Sequence, residues 1–170
     1  KTVEIIRNGF QKVGPEYVNY LDIFLSNGQI DVLPRKGKMS GGYCWKIGEN
    51  PTFILLNHAD SIRSVETLAH EMGHGFHNEF SRIQPSRYQG HPSSTGEVAS
   101  TFFEQIITED LGNMLPEKEK IILLHNSINR DVSTIFTQIA CFNFETELHT
   151  RIRKEGQLSR GEIAKLMTKH

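Results

Sequence analysis

The sequence predicts a mostly α-helical fold with a small β-hairpin or edge-strand element. Three observations carry that prediction: apolar residues recur at helical spacing over most of the chain, two short apolar runs bounded by turn residues stand between Pro34 and Asn57, and capping signals punctuate the helical stretches. At 170 residues, 37% hydrophobic and 23% charged, the chain can enclose a core of its own, and residues 1–170 are read as one domain.

From Thr2 to Leu25 the apolar positions Val3, Ile6, Phe10, Val13, Tyr17, Leu21 and Phe24 fall on a helical period, with Gly14-Pro15 as a kink or break, so one or two helices are expected. Asn27-Gly28 ends that element. A Lys-, Arg- and Gly-rich loop from Pro34 to Gly42 leads into GGYCWKIG, a short strand, and PTFILLN, Pro51 to Asn57, is a second strand too short for a stable helix. Asp60 or Ser61 then caps a helix that runs through Phe80. The stretch Ile83 to Gly96 has loop composition and a length that predicts mobility. Helical periodicity returns from Glu97 to Leu111 and from Pro116 to about Arg151, and Ser159 with Glu162 makes a capping box before Ile163, Leu166 and Met167.

Composition excludes several classes. With 19 basic against 20 acidic residues there is no field to recruit nucleic acid or an anionic membrane surface. The longest apolar runs, Phe53 to Leu56 and Ile121 to Leu124, fall far short of the roughly 20 residues that cross a bilayer, and no charged-then-apolar leader opens the chain. A soluble, cytoplasmic protein is expected. Cys44 and Cys141 are far apart without CxxC spacing, which predicts reduced, buried thiols. The first residue is Lys1 rather than Met, the mark of a processed, trimmed or excised piece.

The stretch VETLAHEMGHGFHNEF holds His70, His74 and His77, which share one helix face. His70 and His77 are separated by about 10.5 Å of axial rise, too far to meet at one tetrahedral ion. Of the two remaining pairs, His70 with His74 encloses a glutamate and matches H-E-x-x-H: two imidazoles one turn apart converge on a metal while Glu71 reaches a water beside it. In that chemistry zinc lowers the pKa of its bound water, Glu71 takes the proton as general base, and the metal polarises a scissile carbonyl. His77, one turn beyond, is assigned a buried, hydrogen-bonded or supporting role. His58, His125 and His149 have no partner at ligand spacing and are read as core or surface residues.

A third protein ligand is needed. A further His in the pattern HxxGxxH is excluded, because position 77 is His rather than Gly and position 80 is Phe. Glu97 in STGEVASTFFE, heading a helix after a loop that lets it fold back, is the candidate; the competing reading is that Ser94 and Glu97 form a capping box. Ser100 and Glu104, on the same face as Glu97, are placed to hydrogen-bond the outer nitrogens of the ligand histidines, with a solvated helix face as the alternative for Glu104.

Four passages in this order, GKMSGGYCW, HEMGHGFH, STGEVASTFFE and FNFETELH, resemble the zinc oligopeptidases related to thimet oligopeptidase, most closely the bacterial oligoendopeptidase F branch, over nearly the entire chain. The resemblance implies a zincin-like helical catalytic domain binding one Zn2+ ion through His70, His74 and Glu97, with Glu71 as catalytic base and short peptides as substrates. It also implies that the edge strand at Gly41, Gly42 and Tyr43 pairs with substrate backbone, where the residues alone allow a plain β-turn. Family members are several times longer. The helical lobes of the full-length enzyme would be partners of this piece, and their downstream oxyanion-stabilising histidine and tyrosines have no counterpart here; Tyr88 and His91 lie in the loop after the zinc helix but do not match those positions.

The leading expectation is therefore a zinc-dependent endopeptidase for short oligopeptides, using a zinc-activated water. Against it stand a zinc-binding peptide-binding module or inactive fragment, and a helical scaffold in which HEMGH is accidental. Cobalt or manganese suits the same ligand set.

Overall fold

The computed structural model describes residues 1–170, which form two compact units, Lys1–Leu115 and Pro116–His170. The fold is mostly helical, as the sequence predicts. In the first unit, helices α1 (Thr2–Val13) and α2 (Pro15–Ser26) are separate. Pro15 is the first residue of the second helix, where its missing N–H costs nothing and its fixed φ suits the first turn.

Strands β1 (Ile30–Asp31), β2 (Tyr43–Trp45) and β3 (Phe53–Leu55) form a mixed sheet in the order β1-β3-β2. The expected hairpin is the antiparallel pair β2 and β3, with Cys44 opposite Ile54. The parallel strand β1, aligning Ile30 with Ile54, was not expected, because two residues are too few to display a period. One edge of β2 is left without a strand partner.

Helix α3 (Ile62–Phe80) starts at Ser61, whose hydroxyl accepts the Ser64 N–H, so Ser61 rather than Asp60 is the cap. Its faces divide the labour. Val65, Ala69, Met72 and Phe76 point into the core, while His70, His74 and His77 line the other side. Helix α4 (Ser93–Met114) begins earlier than the sequence suggests, with Pro92 before it and no side-chain cap. The stretch Ile83 to Gly96, read as a loop, follows a 3₁₀ turn at Ser81–Ile83 and contains a second at Ser86–Tyr88 and the first turn of this helix. Isolated Gly and Ser content hid the helical start.

Phe76 meets the rings of Phe10 at 5.1 Å, Tyr17 at 5.0 Å and Phe103 at 4.8 Å, edge to face, so α1, α2, α3 and α4 share one aromatic core. Burying each large apolar side chain there contributes roughly 1.5–3 kcal/mol. Two glycines set how closely the helices approach. A Cβ at Gly9 would stand 2.3 Å from Ile107 Cδ1, and one at Gly73 would stand 2.6 Å from both the Ala99 carbonyl oxygen and Ser100 Cα. The second of these lies inside the HEMGH motif.

In the second unit, α5 (Glu117–Glu155) is followed by α6 (Arg160–Lys169). Gly156 closes α5 at φ 85°, a conformation that favours glycine. The capping box of Ser159 and Glu162 is present in both directions. Leu158 and Leu166 are buried. No helix of either unit is long and apolar enough to cross a membrane.

Candidate metal centre

One turn of α3 places His70 and His74 with ring centroids 5.0 Å apart, and the close α3–α4 contact at Gly73 brings Glu97 over them. Glu97 Oε2 lies 3.3 Å from His70 Nε2, and Glu97 Oε1 lies 3.6 Å from His74 Nε2. One ligand atom from each of the three residues falls within 4.8 Å of the others. Ligands about 2.0–2.1 Å from a tetrahedral zinc ion stand about 3.3 Å from one another, so the spacing and the N,N,O chemistry both fit a divalent cation. Glu97 is not part of a capping box. It lies inside α4, and its carboxylate faces the imidazoles.

Supporting bonds differ from expectation in one respect. Glu104 Oε2 is 2.8 Å from His70 Nδ1, as expected, while its Oε1 accepts from Arg63 Nη1 at 2.9 Å. With the proton held at Nδ1, His70 presents the Nε2 lone pair toward Glu97. Ser100, by contrast, does not reach a histidine nitrogen: its hydroxyl donates to Glu97 Oε2 at 2.8 Å, because position 100 is one turn from 97 and its backbone lies against Gly73. One turn before His70, buried Glu66 accepts from Thr108 Oγ1 at 3.1 Å and adds a second tie between α3 and α4 that sequence reasoning missed.

Electrostatics separate the acidic groups. Burial pushes the Glu71 carboxyl up, as do the charges of Glu97 and Glu104; His70 and the Cys44 N–H oppose this, and the result is about 7. Glu71 is 5% exposed, and its Oε2 has no hydrogen-bond partner. For Glu104, burial raises the pKa, but the bonds and charges of His70 and Arg63 outweigh it and hold it below the ordinary value. Burial likewise works against a charged His70, yet Glu104, Glu71 and Glu97 raise its pKa overall. His74 is lowered, first by burial.

Gly42 is the point of contact between the sheet edge and the base: a Cβ there would stand 2.8 Å from Thr67 Cγ2 and 3.1 Å from Glu71 Oε1. Two clefts, of about 510 and 360 Å³, meet at Gly42, His70 and Glu71. The larger carries Tyr43, His74 and Glu97; the smaller carries Gly41, Asn57 and Arg63. All the candidate residues thus border one continuous groove, with Ser100 and Glu104 behind it.

His77 stands apart from the three ligand candidates. Its ring stacks on His91 at 3.9 Å and 15°, and its Nδ1 is buried without a partner. His91 lines the larger cleft, whereas Tyr88 is 60% exposed and lines neither. The sequence signal for His91 was Gly96, since a Cβ there would stand 2.7 Å from His91 Nε2.

The chain is similar to known proteins over most of its length. The profile of Peptidase family M3 matches residues 10–170. The chain is 34% identical over 149 residues to oligopeptidase PepF of Bacillus subtilis, covering 86% of this chain and 22% of that protein. It is 34% identical over 152 residues to the chromosomal oligoendopeptidase F of Lactococcus lactis subsp. cremoris, covering 88% and 25%. Among solved structures, a peptidase from Chlamydophila abortus superposes with a TM-score of 0.75 at 28% identity, over 94% of this chain and 27% of that one. An oligoendopeptidase F from Bacillus anthracis gives 0.80 at 18% identity, over 98% and 30%, a likeness of fold. The chain spans about a quarter of the length of these relatives.

Proposed function

The chain belongs to peptidase family M3, and from that premise we propose that it carries the metal centre and catalytic base of a zinc-dependent endopeptidase acting on short oligopeptides. The observation that carries the proposal is the meeting of His70, His74 and Glu97 within 4.8 Å, beside the partnerless buried oxygen of Glu71. The relatives named oligopeptidase and oligoendopeptidase supply the substrate class.

In this reading His70, His74 and Glu97 hold the ion, which when bound supplies Lewis acidity toward a water and a peptide carbonyl. Gly41 and Gly42 lead into Tyr43, the first residue of the free edge of β2, and a substrate laid along that edge as a further strand is held by main-chain hydrogen bonds, largely independent of its sequence. That edge passes within contact of Glu71, so the scissile bond is delivered beside the base. The Glu71 carboxylate takes a proton from the attacking water and passes it to the departing amine. A carboxyl whose surroundings raise its proton affinity is suited to holding that proton between the two steps. Glu104 keeps the His70 ring oriented, and Ser100 keeps Glu97 turned toward the ion.

The alternative reading is a metal-holding peptide-binding module without turnover. Zinc content after purification and turnover of an internally quenched peptide separate the readings. Stoichiometric zinc with turnover that is lost in Glu71→Gln supports the peptidase. Zinc and peptide binding without turnover supports the module, and absence of zinc binding removes both.

A further inference from the structure

The linker between α3 and α4 is held at two points. Lys46 Nζ donates to the Asn78 carbonyl and Ser81 Oγ, each at 3.3 Å, and to Gln89 Oε1 at 2.9 Å, pinning the linker to strand β2. Near its end, the His91 ring lies flat on His77 of α3. The Nε2–Cδ2 edge of that ring fills the space above Gly96, where a Cβ would come within 2.7 Å of Nε2 and 2.9 Å of Cδ2. His91 is therefore wedged between the far end of the histidine helix and the first turn of α4, one residue before Glu97.

The first turn is held by backbone bonds from the Thr95 and Gly96 N–H groups to the Pro92 carbonyl, at 3.0 and 3.1 Å. Pro92 offers no side-chain cap, and the Glu97 side chain is 52% exposed. A helix start without a cap leaves its first N–H groups without partners and is prone to fray. The wedge supplies a packed contact there in place of a hydrogen bond. We propose that His91 is a positioning residue, stacked on His77 and seated over Gly96, that sets where α4 begins and so holds Glu97 in register with His70 and His74. The proposal rests on the metal-site reading above and adds to it a residue that touches neither ion nor substrate. Its physical content is preorganisation: a ligand already in place loses less freedom when the ion arrives.

The test uses the full chain and zinc alone, with affinity read by competition against a chromophoric chelator. His91→Ala is expected to weaken zinc binding by about 10- to 100-fold, the range seen when groups supporting metal ligands are removed. His91→Phe keeps a flat ring and is expected to restore most of the affinity. Gly96→Ala is expected to match His91→Ala even though alanine is the better helix former, because its methyl group evicts the ring. The double substitution should be no worse than either single one, since both break the same contact. Amide exchange at residues 93–97 in the metal-free chain gives a second readout: faster in His91→Ala, restored in His91→Phe. A parent chain that binds zinc with an affinity indifferent to His91→Ala overturns this proposal alone, and so does failure of His91→Phe to rescue. A parent chain that takes no zinc removes the metal reading itself, and the proposal falls with it.

Discussion

The two flanks of the histidine helix treat their carboxylates in opposite ways. On the α4 flank, both oxygens of Glu97 face imidazoles and one accepts from Ser100, while Glu104 bridges His70 and Arg63 and is held below its ordinary pKa. On the sheet flank, Glu71 is nearly buried with one oxygen unpartnered, and its pKa rises to about 7. Glu104 thus sits where negative charge is stabilised and Glu71 where it is resisted. Chemically, the first suits a group that stays ionised to orient an imidazole, and the second suits a group that accepts and releases a proton.

The sharpest break in this contrast is to empty the ligand side. Glu97→Ala should reduce zinc affinity by more than the 10- to 100-fold expected for any supporting group, measured by chelator competition. Unchanged affinity would return Glu97 to a merely electrostatic partner of the histidines. Next comes the base. Glu71→Gln should slow peptide turnover by about 10²- to 10⁴-fold while leaving zinc affinity largely intact. The same variant tests the environment of Glu71 without metal or substrate. Because the folded-state pKa is raised from 4.5 to about 7, the folded chain holds a proton there that the unfolded chain releases, so stability falls as pH climbs through that window. Metal-free Glu71→Gln should therefore be more stable than the parent at pH 8, by up to about 3 kcal/mol, and the gain should vanish below pH 4.5. Denaturant unfolding at both pH values checks it.

The ligand side was more legible in the sequence than the base's surroundings. The pair His70 and His74 follows from helical spacing together with the glutamate it encloses, and Glu104 from its position two turns beyond Glu97. Long helices with apolar stripes, and the Ser159–Glu162 box, read directly because their signals are local. What escaped depends on contacts between elements. The two-residue strand β1 has no period of its own, and the start of α4 at Ser93 carries no capping side chain. Glu66 is tied to Thr108, a neighbour distant in the chain, and His91, read from the sequence only as a loop residue after the zinc helix, is seated by His77 and by the room that Gly96 leaves. Ser100 was placed on the right face but given the wrong partner, because face assignment does not say which of two nearby acceptors is closer.

Two smaller perturbations sharpen the contrast from the α4 flank. Glu104→Gln keeps the shape and removes the charge that orients His70; zinc affinity should fall about 10- to 100-fold, and the His70 pKa should drop from its raised value, readable by NMR titration of the metal-free chain. The smallest effect belongs to Ser100. Its hydroxyl is fully buried and donates to the Glu97 carboxylate, the one side-chain hydrogen bond to that group from its own helix. Removing it in Ser100→Ala leaves Glu97 to the histidines alone, and because the carboxylate is half exposed, water replaces the lost donor. The loss should then be about 1 kcal/mol, roughly fivefold in zinc affinity, with the metal-free fold unaltered by circular dichroism. A loss as large as that of Glu97→Ala would mean that the serine fixes more than one carboxylate rotamer. The source would be the Ser100 backbone packed against Gly73, and the α3–α4 approach rather than the hydroxyl would then be what sets the ligand side apart.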